Sequence, residues 1–175
     1  IPSNVASIGK CAFFDCSNMI SIKVDSNNKV YDSRNNCNAI IETLTNTLIQ
    51  GCRATIIPSN ITSIAEYAFS YCNNLTSINI PYGVTIIMND AFRGCSSLTS
   101  IEIPSSVTRI GESAFRECRS LTSIIIPNSV TSIGASAFSW CSSLTSVEIS
   151  NGVTSIGDYA FYCCENLRNI AIPNG

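Results

Sequence analysis

The pair Ala-Phe returns at Ala68-Phe69, Ala91-Phe92, Ala114-Phe115, Ala137-Phe138 and Ala160-Phe161, with a constant step of 23 in the numbering. No other feature narrows the available folds so far. A fixed period of this length marks a unit that cannot bury its apolar face alone and must stack on copies of itself. One further pair, Ala12-Phe13, precedes Ala68-Phe69 by one period plus a period lengthened by ten. The consensus reads L-T-S-I-x-I-P-x-x-V-T-S-I-G-x-x-A-F-x-x-C.

Residues 98 to 118 show what one unit does. "LTSIEIP" alternates Ile101 and Ile103 inward with Ser100 and Glu102 outward, the period-2 pattern of a strand. Pro104 ends the ladder because it has no N–H to donate. "VTRIG" is a second extended piece, with Val107 and Ile110 inward and Gly111 expected to supply a bend. Ala114-Phe115 fill the core from the far side and are too few for more than about a turn of helix. The expected fold is a flattened, right-handed, mainly β solenoid with short helical turns and a sheet on each side. Strands of neighbouring coils then lie ~4.8 Å apart. The whole of 1–175 reads as a single solenoid of about six repeats, with a β-hairpin insertion inside 25–56.

The 21-position pattern, repeated over nearly the whole chain, resembles the treponemal-type leucine-rich repeat of the BspA-like family. The resemblance implies large cell-surface or secreted proteins of bacteria and some parasitic protists, whose characterised members are associated with adhesion to host proteins or cells. It therefore implies an extracellular or cell-surface location and a protein partner, such as a host matrix or cell-surface protein. A fold of this kind hosts many partners, so the resemblance names none. The chain has no starting Met and no signal peptide and opens within a repeat, which reads as a segment of a longer protein.

Composition agrees. The hydrophobic fraction of 45% against 13% charged residues excludes a disordered polymer. A net charge of -2 with scattered Lys and Arg offers no basic stripe for nucleic acid. No apolar run reaches the ~18 residues of a spanning helix.

The insertion carries "AIIE" and "TLIQ" on either side of "TLTN", a hairpin pattern. A turn centred between Leu44 and Thr45 pairs Glu42 with Thr47, Ile40 with Ile49, and Cys37 with Cys52. Directly opposed residues fall within bridging range, so a cross-strand disulfide and two packed free thiols both satisfy the spacing. Six of the ten cysteines (Cys16, Cys72, Cys95, Cys118, Cys141 and Cys164) share one repeat column. Stacked side chains point in parallel, which favours buried inert thiols over a disulfide framework. Without any His or C-x-x-C pair, no metal site and no cofactor is expected.

An enzyme is not expected either. The lack of His removes the usual partner of a Ser or Cys nucleophile. Glu102 and Glu148 share a column two coils apart, about 10 Å by strand spacing, but Ile125 stands between them. A solenoid's inward columns are committed to the core, so recognition falls to outward ones. The variable column reads Lys23, Asn79, Glu102, Ile125, Glu148 and Ala171 on a uniform Ser and Thr background. Two roles follow: a binding or adhesion module that uses this column, or a structural spacer that displays another domain and binds nothing itself.

Overall fold

The computed structural model describes residues 1–172, and in it the chain winds into a β-solenoid. The one helical piece among these residues is a three-residue 3-10 turn at Arg34–Asn36. The strands, in chain order, are β1 (Tyr31–Asp32), β2 (Ile40–Glu42), β3 (Thr47–Gln50), β4 (Ser63–Ile64), β5 (Ile86–Ile87), β6 (Arg109–Ile110), β7 (Ser123–Ile126), β8 (Ser132–Ile133), β9 (Ser146–Ile149), β10 (Ser155–Ile156) and β11 (Asn169–Ala171). The V-T-S-I pieces and the strands of the insertion form one long sheet of order β1-β2-β3-β4-β5-β6-β8-β10, parallel from β3 onward. Ile64, Ile87, Ile110, Ile133 and Ile156 lie in register along it.

The opposite sheet, from L-T-S-I-x-I, is shorter than the sequence pattern predicts. It holds only β7, β9 and β11, with Ser123, Ser146 and Asn169 aligned. Earlier coils keep the same path, with Ile101 and Ile103 buried, but are joined there by little more than the Thr99 N–H to Thr76 carbonyl bond at 3.2 Å. A shallow gap of about 400 Å³ opens between Ser77–Asn79 and Ser100–Glu102.

A third side runs through the x-A-F-x-x-C segments as a ridge of turns. Its N–H groups alternate in direction. Ala68, Ser70 and Cys72 donate within the coil, to the Ala65, Tyr67 and Phe69 carbonyls. Tyr67, Phe69 and Tyr71 donate to Asn89, Ala91 and Arg93 of the next coil, at 3.3, 2.8 and 2.6 Å. Later coils repeat the scheme, as in Asp90, Phe92 and Gly94 donating to Glu112, Ala114 and Arg116. The alternation needs a positive φ before each Ala and each Cys of the column: Tyr67 and Tyr71, Asp90 and Gly94, Ser113 and Glu117, Ser136 and Trp140, Tyr159 and Cys163. All but Gly94 are non-glycine residues in a region such residues seldom visit, repaid by a cross-coil ladder that satisfies the backbone.

Inside, Phe69, Phe92, Phe115, Phe138 and Phe161 stack with centroids 5.0 to 5.5 Å apart and planes within 6° of parallel. Such spacing suits offset-stacked rings. The first four are fully buried.

Glycine in S-I-G serves close approach and not a special φ. A Cβ on Gly134 would stand 2.5 Å from the Glu112 nitrogen and the Gly111 carbonyl carbon of the preceding coil. Ala65 and Met88, which hold this column beside the insertion, keep φ out of the positive region.

The hairpin forms by its expected turn, with Glu42 opposite Thr47, but then slips. Ile41 faces Leu48 and Ile40 faces Gln50, so Ile49 is the extra residue of a β-bulge. Beyond the bulge the predicted pairing is one residue out. Cys52 Sγ lies 3.5 Å from the Asn38 carbonyl, and Cys37 and Cys52 are both free thiols. They do not form the disulfide that even register would allow: Cys37 packs in the main core and Cys52 in a smaller one. The smaller core gathers Ile22, Tyr31 and Ile40 with side chains of residues 1–24, so the hairpin is a wall with a core on each face.

Gly134→Ala is expected to lower stability by about 1–3 kcal/mol through this backbone clash. Gly9→Ala, where a Cβ meets nothing within 4 Å, is expected to leave it unchanged, by urea denaturation of the two variants side by side.

Candidate binding surfaces

Each column of the solenoid is either spent on holding coils together or free to meet a partner. The Thr columns are spent. Thr85, Thr108, Thr131 and Thr154 each bring both N–H and hydroxyl to the carbonyl of the Thr one coil earlier, with hydroxyl distances of 3.1 to 3.3 Å. Thr99, Thr122 and Thr145 do the same on the other strand, at 3.0 to 3.4 Å.

The cysteine column is spent as well. Cys95, Cys118, Cys141 and Cys164 direct Sγ at the carbonyls of Phe69, Phe92, Phe115 and Phe138, at 3.1 to 3.3 Å. Each thiol is a weak donor to an oxygen that already accepts an in-coil N–H. Burial pushes the Cys72 thiol up to about 11 and raises Cys95, Cys118, Cys141 and Cys164 as well. Such thiols hold no thiolate near neutral pH and neither react nor ligate. Cys16 departs from the column reading, being exposed. No group of His, Cys, Asp and Glu able to hold a metal ion occurs among the described residues.

The ridge carries charge that is largely neutralised within itself. Arg93 pairs with Asp90 at 3.2 Å, and Glu117 receives Arg116 at 3.4 Å, Arg119 at 3.5 Å and Arg93 at 3.9 Å. Burial holds the Asp90 carboxyl above its usual value despite Arg93. Arg93 also sits 5.8 Å from the centroid of Tyr71, whose far neighbour is Phe14. At the other end Trp140, Tyr159 and Tyr162 form exposed edge-to-face pairs. Sequence reasoning missed this grouping; the signal was present in the columns before Ala and before Cys.

The variable column is different. Lys23, Asn79, Glu102, Ile125, Glu148 and Ala171 are all outward and exposed. Ile125, Glu148 and Ala171 stand side by side in the three-stranded sheet. No side chain of the six makes a hydrogen bond or ion pair among the described residues. Glu102 and Glu148 are separate surface carboxylates with no cavity between them.

The model for the BspA type leucine-rich repeat region matches in six copies, over residues 1–118 and 62–175. The chain belongs to the BspA-type leucine-rich repeat family. Solved structures agree. A leucine-rich cell surface protein of Faecalibacterium prausnitzii is similar at 34% identity and a TM-score of 0.86, over 97% of this chain and 46% of that one. A leucine-rich repeat protein of Eubacterium ventriosum is similar at 28% identity and a TM-score of 0.81, over 99% and 54%. The T. pallidum leucine-rich repeat protein is similar at 30% identity and a TM-score of 0.68, over 87% and 72%. The chain thus spans about half the length of the first two. No curated protein matches it. Leucine-rich repeats of this family generally serve as protein-interaction modules and are typically non-enzymatic. No helix among the described residues is long and apolar enough to cross a membrane.

Iodoacetamide labelling of the native protein at pH 8, read by mass spectrometry, is expected to modify Cys11 and Cys16, which are exposed, and to spare Cys72, Cys95, Cys118 and Cys141. Because burial raises the thiol pKa, Cys72 gains reactivity only as pH climbs toward about 11, or when denaturant opens the coils.

Proposed function

We propose that this chain is a protein-binding, adhesion-type module of a bacterial cell-surface or secreted protein, non-enzymatic, with the variable column as its recognition face. One observation carries the reading: the six variable side chains point outward and are unengaged, while the Thr columns near them are tied into cross-coil bonds. A rigid, hydrogen-bonded background with an uncommitted column loses little side-chain order elsewhere on binding. Ile125, 60% exposed, supplies an apolar contact between Glu102 and Glu148, the mix of apolar centre and polar rim that protein interfaces use. A surface location is supported by the family and by the similarity to a leucine-rich cell surface protein, and a host extracellular protein is the partner this reading proposes. The Phe stack and ridge ladder of the later coils also suit a stiff spacer, which is the competing reading.

Biolayer interferometry against a panel of host matrix and plasma proteins separates the two. Adhesion through this face predicts saturable binding that a variant with Lys23, Glu102, Ile125 and Glu148 all changed to Ser loses by about tenfold or more, roughly 1.4 kcal/mol. Binding untouched by those changes moves recognition to another face, and no binding to any panel member leaves the spacer role.

A further inference from the structure

The strand register shows how the insertion is accommodated and what it leaves behind. Each core Ile of the long sheet follows the last at the full period, but Leu48 precedes its partner Ile64 by only 16. The hairpin coil is therefore seven residues short. The part it lacks is the ridge. Gly51 N–H donates to the Ala68 carbonyl at 2.8 Å, the place a Phe N–H takes in the later coils, and the chain then turns back through Cys52–Thr55. A Cβ on Gly51 would lie 2.1 Å from the Phe69 ring, so this short coil also ends the Phe stack.

The ridges of the first and second full coils thus face one another with none between them. Residues 9–16 reproduce the local ridge scheme. Ala12, Phe14 and Cys16 donate to the Gly9, Cys11 and Phe13 carbonyls, and Cys11 and Asp15 carry the positive φ of Tyr67 and Tyr71. The alternate N–H groups of Cys11, Phe13 and Asp15 correspond to those of Tyr67, Phe69 and Tyr71, which reach the next coil. Here they donate to nothing among the described residues. On the facing turn the Glu66 and Ser70 carbonyls, counterparts of the accepting Asn89 and Arg93 carbonyls, accept nothing. The buried Ser70 hydroxyl is likewise unpartnered. Between the two turns lies a cleft of about 420 Å³, with Ile8, Phe13, Ile49 and Met88 as its apolar lining and Thr47 and Gln50 as polar lining. The Lys10–Glu66 ion pair, 2.7 Å, spans its walls.

We propose that this cleft takes an extended polypeptide segment of a partner protein. Its carbonyls would accept from Cys11 and Phe13, and an N–H group would donate to the Glu66 carbonyl. Asp15 and Ser70 lie outside the cleft, at the end where Phe14 packs against Tyr71 with ring centroids 5.0 Å apart. Two open donors on one wall facing an open carbonyl on the other are matched by a peptide main chain, the ligand of strand-addition sites. The volume falls within the ~300–1,000 Å³ usual for binding clefts. The site is separate from the variable column and stands or falls without it.

The test pans the full chain against a phage-displayed library of linear random heptapeptides. Enriched peptides are expected to slow amide hydrogen exchange at Cys11 and Phe13. They are expected to bind Ala12→Trp, which fills the cleft from an exposed position, about tenfold or more weaker. Gly9→Trp, at a second open lining position, repeats the block should the first variant misfold. The fourfold Ser variant of the variable column should retain them. Failure to enrich any peptide, or enriched peptides that bind both Trp variants like the parent, overturns the proposal. Peptides lost only by the column variant overturn it while supporting recognition on the other face.

Discussion

The set of hydrogen bonds from one coil to the next, repeated in every period, is the constraint on which everything else rests. The long sheet, the ridge ladder, the Thr clamps and the Phe stack are successive layers of one translation. Because all share a period, a change in coil length anywhere must be absorbed by a whole coil. The insertion obeys this. It does not bulge from a coil of standard length; it builds a coil of different length that keeps the sheet continuous through β3 and β4 and gives up the ridge.

The inward columns were legible because period-2 alternation and Pro leave little choice of face, and Ile101, Ile103, Val107 and Ile110 are buried as read. The turn ridge was not legible as a ladder. Its positive φ values fall on residues as different as Tyr, Trp, Ser, Asp, Glu, Cys and Gly, so no one residue type marks the two columns, and cross-coil bonds run from them. The glycine column was seen but explained wrongly, since the neighbouring backbone is invisible in a single repeat. In the hairpin the turn end was read correctly and the far end was not. One extra residue at Ile49 exchanges the faces of all that follows, as a slip of one residue must. The column proposed as a recognition face proved outward, while the cleft could be found only by comparing registers in space.

Two ways of dealing with polar groups divide the surface. On the Thr columns and the central ridge they are paired within the protein, which makes those faces stiff and indifferent to a partner. On the variable column, and at the cleft where a ridge segment is missing, they are left open. A repeat architecture makes such exceptions conspicuous, because each position has copies that show what an ordinary coil would do there.

The hairpin wall, with a large core on one side and a small one on the other, also sets the order in which the molecule comes apart. Stability in a solenoid is close to a sum of neighbour terms, and the segment 1–24 is tied mainly to the smaller core through Tyr31, Ile40 and the side chain of Asn28, which bridges to the Pro2 and Val5 carbonyls. It lacks a share in the Phe stack. Tension applied from the N-terminal side would therefore strip this segment first and stop at β3, leaving the longer stack wound: a mechanical fuse built into the chain by a coil seven residues too short.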